Sequence, residues 1–149
     1  MGAGTEKVDG FVSVDIDPGT KPDVLWDLRE FPYPWDNNSI DEILLENTIE
    51  HISYRLHDDI FKELYRILKP WGILIIVCPD IVSLFMEYVC NCSDPENHGK
   101  FVHFLFGGHE HEYDYHNAGY TELLIRHRLR NAGFTIANFK PGMRVTAVK

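Results

Sequence analysis

The stretch from Asp41 to Asp80, DEILLENTIEHISYRLHDDIFKELYRILKPWGILIIVCPD, restricts the folds open to this chain more than any other. Ile43, Leu44 and Leu45 form one apolar run and Ile73 to Val77 another; neither alternates, which is the pattern of strands covered on both faces in a parallel sheet. Between them Ile60, Phe61, Leu64, Ile67 and Leu68 recur at helical spacing. The N-cap candidates Asp58 and Asp59 precede this helix, and Lys69-Pro70-Trp71-Gly72 is its stop signal. Strand, helix and strand in this order make a βαβ crossover. Open sheets built from such units bind ligands beyond the carboxyl ends of their strands, here at Glu46-Asn47-Thr48 and at Cys78-Pro79-Asp80.

The flanking segments extend the pattern. Gly2-Ala3-Gly4 and Gly10 lead into an alternating strand over Phe11 to Ile16, ended by Asp17-Pro18-Gly19. A glycine pair marks only a tight turn, but Asp15 at the strand end adds a carboxylate able to accept two hydrogen bonds from a ribose diol. The next strand, Asp23 to Leu28, also ends on an acid. Asp27 has two readings, acceptor from an adenine amino group or simple turn carboxylate. Phe31 to Ile40 is loop.

Beyond Asp80, Ile81 to Val89 reads as a short apolar helix, Cys90 to Lys100 as polar with a turn at Ser93-Asp94-Pro95, and Phe101 to Gly108 as apolar. The most polar stretch follows, Gly107 to Asn117 with His109, His111, Asp114 and His116. Tyr120-Thr121-Glu122 opens an amphipathic helix stopped by Asn131-Ala132-Gly133-Phe134. Thr135 to Phe139 and Arg144 to Val148, joined by Lys140-Pro141-Gly142-Met143, form an antiparallel hairpin.

Composition narrows the function. The 149 residues, 44% of them hydrophobic, form one domain spanning 1–149, long enough to bury about 68–70% of the unfolded surface. A formal charge of −9 with only 14 Lys plus Arg argues against nucleic acid as partner, since phosphate neutralisation needs a basic patch. A small molecule or sugar fits better. Cys78, Cys90 and Cys92 are odd in number, and the last two are too close for an ordinary bridge, which points to a reducing, cytoplasmic setting. No apolar run approaches the ~18–20 residues of a membrane span, so no membrane partner is expected. The opening residues fit neither a signal peptide nor a myristoylation site, which wants Ser or Thr where Glu6 stands.

Taken together, these segments resemble class I S-adenosylmethionine-dependent methyltransferases, in particular small members of the type 11 group. Gly2-Ala3-Gly4 resembles the end of the family's glycine motif, Val14-Asp15-Ile16-Asp17-Pro18 its ribose-binding strand end, and Trp26-Asp27-Leu28 its adenine-contacting turn. Asn38 to Ile43, Glu50-His51-Ile52 and Glu63 to Gly72 resemble the segments that follow, the last being the most diagnostic. The resemblance implies an α/β, Rossmann-like, doubly wound and mostly parallel sheet with a C-terminal antiparallel hairpin. It also implies S-adenosylmethionine as cofactor, with Gly2, Gly4, Asp15, Asp27, Leu28, Glu46 and Asn47 around it.

There are two departures from the family pattern. Trp71 replaces a glycine in the lysine-proline-glycine-glycine turn. The family's first strand, an apolar run lying mid-sheet, is not seen because the sequence opens at the glycine loop, so the fold expected is N-terminally truncated. A bare slot would leave buried backbone groups unpaired at ~1–3 kcal/mol each. Three outcomes answer this: collapse of the second family strand onto the fourth, a glycine segment that bends away, or a homodimer pairing through the slot.

Methyl transfer from a sulfonium is an in-line displacement, and a hydroxyl acceptor must also lose a proton. The histidine-rich stretch offers the base, with His116, Asp114 and His109 as the catalytic candidates and Asp114 placed to orient a histidine two residues away. Glu46, Asn47, Glu50 and His51 follow the strand that resembles the family's fourth and are candidates to contact the donor or the acceptor, while His51 reads equally as a pocket residue or a locally satisfied helix-start residue. The same histidines offer metal-ligand spacing, but spacing in a histidine-rich loop is a loose criterion and no metal ligand is assigned. The functional expectation is methyl transfer to oxygen or nitrogen of a small molecule or sugar. The alternative is a non-catalytic remnant or assembly module with the same fold.

Overall fold

A computed structural model describes residues 1–5 and 7–149, so the position weighed for myristoylation, Glu6, lies outside the described residues. The central unit is built as the apolar runs require. Strand β3 (Ile40–Glu46) leads by a short 3-10 turn (Ile49–His51) to helix α1 (His57–Ile67), which returns into β4 (Leu68–Val77), parallel to β3. In α1, Ile60, Phe61, Leu64 and Ile67 are fully buried, and they share one core with Leu45, Leu74 and Ile76 of the sheet. Asp58 and Asp59 are not caps. The helix starts at His57, and both acids lie in its first turn, where they favour the positive end of the helix dipole. Asp58 also pairs with Arg128 at 2.8 Å and Asp59 with Lys62 at 3.3 Å.

The helix ends as β4 begins, and the stop signal Lys69 to Gly72 is absorbed into that strand as an irregularity in its register with β3. Gly72 is needed there, because a Cβ would stand 2.8 Å from the carbonyl oxygen of Lys69. Burial of the runs is one-sided. Ile43, Leu45, Leu74 and Ile76 are buried, whereas Ile73 on the other face is exposed.

The C-terminal half completes the sheet. Helix α2 (Ile81–Phe85) is N-capped by Asp80 and continues as a π-helical turn over Met86–Cys90. Pro95–Phe106 is a helix, α3, where the sequence reads as turn and apolar segment. The turn residues Asp94-Pro95 are its cap, with the Asp94 side chain accepting from Glu96 N. Thr121 caps α4 (Glu122–Asn131), and the hairpin follows as β5 (Thr135–Lys140) and β6 (Arg144–Val148). The order β3-β4-β6-β5, with β6 antiparallel to both neighbours, makes the mixed sheet of the expected α/β fold. Among the described residues no helix is long and apolar enough to cross a membrane.

The first part of the chain forms a separate parallel pair, β1 (Val14–Asp15) and β2 (Val24–Leu25), far shorter than the alternation suggests. Asp23 holds it, accepting from both the backbone N–H and the hydroxyl of Ser13 at 2.8 and 2.7 Å. No described strand pairs β1 with β3. The second strand has not collapsed onto the fourth, and the glycine segment does not bend away. Met1 to Gly4 lies between the two sheets, with Met1 N donating to Leu44 O at 2.7 Å and Ala3 N to Val14 O at 3.1 Å. Backbone groups facing each other across an interior gap need partners, and this segment supplies one on each side. A cleft of about 370 Å³ remains beside it, bounded by Val8, Phe11, Val12, Leu44 and Glu46.

Candidate functional site

Beyond the carboxyl ends of β1, β2 and β3 lies a cavity of about 550 Å³. Its walls come from the Gly2–Gly4 segment, the turns after Asp15 and Trp26, the segment Asn47 to Ile52, and the loop from His111 to Asn117. Asp15 is buried at the end of β1. Its Oδ2 accepts from Gly4 N at 2.7 Å and its Oδ1 from Asp17 N at 2.9 Å, which fixes the carboxylate and leaves each oxygen a further lone pair.

Asp27 carries the next wall. Burial pushes its carboxyl up, but hydrogen bonds from the Arg29 side chain and backbone outweigh this and hold it below its ordinary value. Leu28 is buried next to it, its carbonyl accepting from the Tyr33 hydroxyl at 2.9 Å. The indole N–H of Trp26, also on the wall, is buried with no partner among the described residues.

After β3, Asn47 takes a left-handed conformation with φ 45°, and Thr48 packs against Gly2. Gly2 has φ 63°, and a Cβ on it would stand 2.2 Å from Thr48 Cγ2, so no larger residue fits this approach. Gly2, Gly4, Asp15, Asp27, Leu28, Asn47 and Asp114 of the sequence-derived candidates therefore share one cavity. Glu46 does not; it borders the neighbouring cleft. Cys78 and Asp80, at the other strand end, are also outside its walls.

The histidine-rich stretch is arranged differently from its reading by spacing. His109 turns away, with Nε2 at 2.9 Å from Phe106 O and its ring against Tyr115 at 4.2 Å. Asp114 orients neither His109 nor His116. Its Oδ2 accepts from Glu110 N at 3.1 Å, and that hydrogen bond holds its carboxyl below the ordinary range. His116 is oriented instead by Phe104 O, 2.8 Å from its Nδ1, and its ring meets that of His51 edge-on at 4.7 Å. His51 lines the cavity; His109 and His116 do not.

Burial, then the charge of His116, lowers the pKa of His51. Glu50 next to it is 2% exposed, and burial pushes its carboxyl up to about 7 against the pull of the Glu50 and Thr48 backbone. Of the four residues after β3 that the sequence offers as donor or acceptor contacts, Asn47 and His51 line the cavity and Glu46 and Glu50 do not. What the sequence leaves unread is the burial of the Glu50 carboxyl and the orphaned N–H of Trp26. The available signal was an acid bracketed by Ile49 and Ile52 on a segment following a buried strand.

The chain has the fold of the class I S-adenosylmethionine-dependent methyltransferases. Residues 11–76 match the family described as methyltransferase domain. No curated protein sequence matches the chain. Among solved structures it is similar to a SAM-dependent methyltransferase from Archaeoglobus fulgidus, at 16% identity over 85% of this chain and 53% of that one, with a TM-score of 0.54. It is also similar to the 1,6-didemethyltoxoflavin-N1-methyltransferase of Burkholderia thailandensis, solved with its substrate and S-adenosylhomocysteine, at 17% identity over 91% and 59%, TM-score 0.57. A SAM-dependent methyltransferase from Methanosarcina mazei matches at 16% identity over 83% and 65%, TM-score 0.58. The chain thus spans between about half and two thirds of the length of these structures, and at such identities the likeness is one of fold.

Proposed function

We propose that the chain binds S-adenosylmethionine in this cavity and transfers its methyl group to an oxygen or nitrogen of a small molecule or sugar. The observation that carries the reading is Asp15, a carboxylate fixed by two backbone N–H groups at a strand end, with acceptor capacity left over on the cavity wall. The other residues fit the same ligand. Asp27 accepts from an exocyclic amino group, Trp26 and Leu28 offer apolar surface to a flat ring, and the orphaned Trp26 N–H awaits an acceptor. Gly2, Gly4 and Asn47 bring backbone close to the ligand, and the volume lies in the range of about 300–1,000 Å³ usual for small-molecule sites. The bound donor supplies an electrophilic methyl group on a sulfonium. Asp114 on the wall, and His116 behind His51, are the groups proposed to activate the acceptor; His109 is held away from it.

Titration calorimetry with S-adenosylhomocysteine tests the reading. One site saturating in the micromolar range is expected, whereas no heat at high micromolar ligand overturns donor binding. The assembly-module alternative predicts that second result.

A further inference from the structure

We propose that Glu50, His51 and His116 form a binding site for a divalent transition-metal ion next to the donor cavity. One ligand atom from each residue lies within 4.8 Å of the other two. Three N and O donors at ~2.1 Å around a tetrahedral ion stand about 3.4 Å apart, so side-chain rotations of about 1 Å close the set.

Three further features point the same way. Glu50 Oε2 and His51 Nδ1 are buried and have no hydrogen-bond partner among the described residues, which is costly for polar atoms and is answered by an ion. The 2.8 Å contact of His116 Nδ1 with Phe104 O is a donated N–H bond. It leaves the Nε2 lone pair free, the arrangement a metal-ligating histidine adopts when its other nitrogen is held by a carbonyl. Finally, the backbones are tied together. Glu50 O accepts from Asn117 N at 2.7 Å and Ala118 N at 3.0 Å, and the Asn117 side chain donates to His51 O at 2.8 Å. These bonds hold His116 against Glu50-His51 before any ion arrives.

Two imidazoles and one carboxylate suit zinc, cobalt, iron or manganese better than calcium, which prefers oxygen cages. Three protein ligands leave a coordination position for water or for an oxygen of the methyl acceptor. Because His51 belongs both to this cluster and to the cavity wall, the ion sits where it can polarise an acceptor hydroxyl. The hydroxyl proton then leaves to solvent, the oxygen lone pair forms the bond to the methyl carbon, and the carbon–sulfur electron pair returns to sulfur. This role in catalysis rests on the donor-binding reading above; the metal site does not.

Cobalt(II) added to chelator-treated full-length protein is the direct test. We expect one equivalent of bound ion with visible ligand-field bands, and binding at least tenfold weaker in Glu50→Gln and His116→Ala but unchanged in His127→Ala, an exposed histidine elsewhere. On the wild-type chain, mass-spectrometric footprinting with a histidine-modifying reagent should show cobalt or zinc protecting His51 and His116, whether or not the variants fold. Absence of binding up to millimolar metal, or protection that omits these two histidines, overturns the site. S-adenosylhomocysteine calorimetry on the same metal-free sample separates the two readings. Donor binding without metal binding removes only the metal site, and metal binding without donor binding removes only the donor reading.

Discussion

Asp15→Ala should separate ligand binding from folding in an informative way. The wild-type carboxylate is 8% exposed and serves the fold as well as the proposed donor, since it accepts from Gly4 N and Asp17 N. Alanine strands both donors. Gly4 is exposed and Asp17 half-buried, so water replaces part of the loss, and the cost to folding is about 1–3 kcal/mol. For a chain of this size that corresponds to a fall in Tm of roughly 2–12 °C. Donor affinity should fall further. Losing the charge-assisted pair to a diol costs about 2–4 kcal/mol, a factor of roughly 30 to 900 in Kd. Asp15→Asn keeps the shape and one acceptor oxygen, so it should show the affinity loss with a smaller change in Tm. Calorimetry with S-adenosylhomocysteine and ligand-free thermal unfolding give both numbers. If affinity in both variants stays within threefold of wild type, Asp15 does not hold the donor, whatever the change in Tm.

Two further predictions concern stability. His57 is fully buried, its Nε2 3.0 Å from Ile52 O and its Nδ1 bonded to the Tyr120 hydroxyl, and burial lowers its pKa from 6.5 to about 4. Its folded pKa lies below the unfolded one, so its contribution is complete above about pH 6.5 and is lost as pH falls through about 4, a change of about 3 kcal/mol. The stability difference between wild type and His57→Gln in urea unfolding should shrink by that amount from pH 7.5 to 4, and a constant difference would contradict it. Trp71 is 84% exposed at φ 68°, a conformation costing an L-residue about 1–2 kcal/mol. Part of that is offset by the greater unfolded-state freedom of glycine, so Trp71→Gly should raise the urea midpoint slightly, and a lowered midpoint would show that the indole stabilises the turn.

What the sequence discloses follows from what burial writes into it. The crossover β3-α1-β4 is legible because Ile43, Leu45, Leu74 and Ile76 face a helix whose own apolar residues recur at its period. Helix α3 is not, because its apolar residues Phe101, Val102, Phe104, Leu105 and Phe106 crowd one end without periodicity and none is buried. There the cap Asp94-Pro95 was the only readable sign. Asp15 and Asp27 could be placed from the strand ends that carry them. Glu50 with His51 and His116 could not, since a hydrogen bond spanning 66 residues, from Asn117 to His51, brings those partners together. Proximity in sequence also misleads: Asp114 neighbours two histidines and turns to the backbone of Glu110 instead.

The thin connection between the two sheets has a consequence for affinity. Strands β1 and β2 contribute two residues each, and Met1 to Gly4 joins them to the larger sheet by a few hydrogen bonds, to Val14 and Asp15 on one side and to Leu44 and Thr48 on the other. Opening along this seam disrupts little buried structure, so it belongs to the low end of the chain's local stabilities. Asp15 and Asp27 lie on one side of the seam, and Asn47 on the other. A ligand touching both sides closes it, and at a hundred times its Kd it adds about 2.7 kcal/mol to the closed form. The measured Kd is then the intrinsic value divided by the fraction of molecules already closed. Rigidifying the seam would tighten binding without adding a single contact to the ligand.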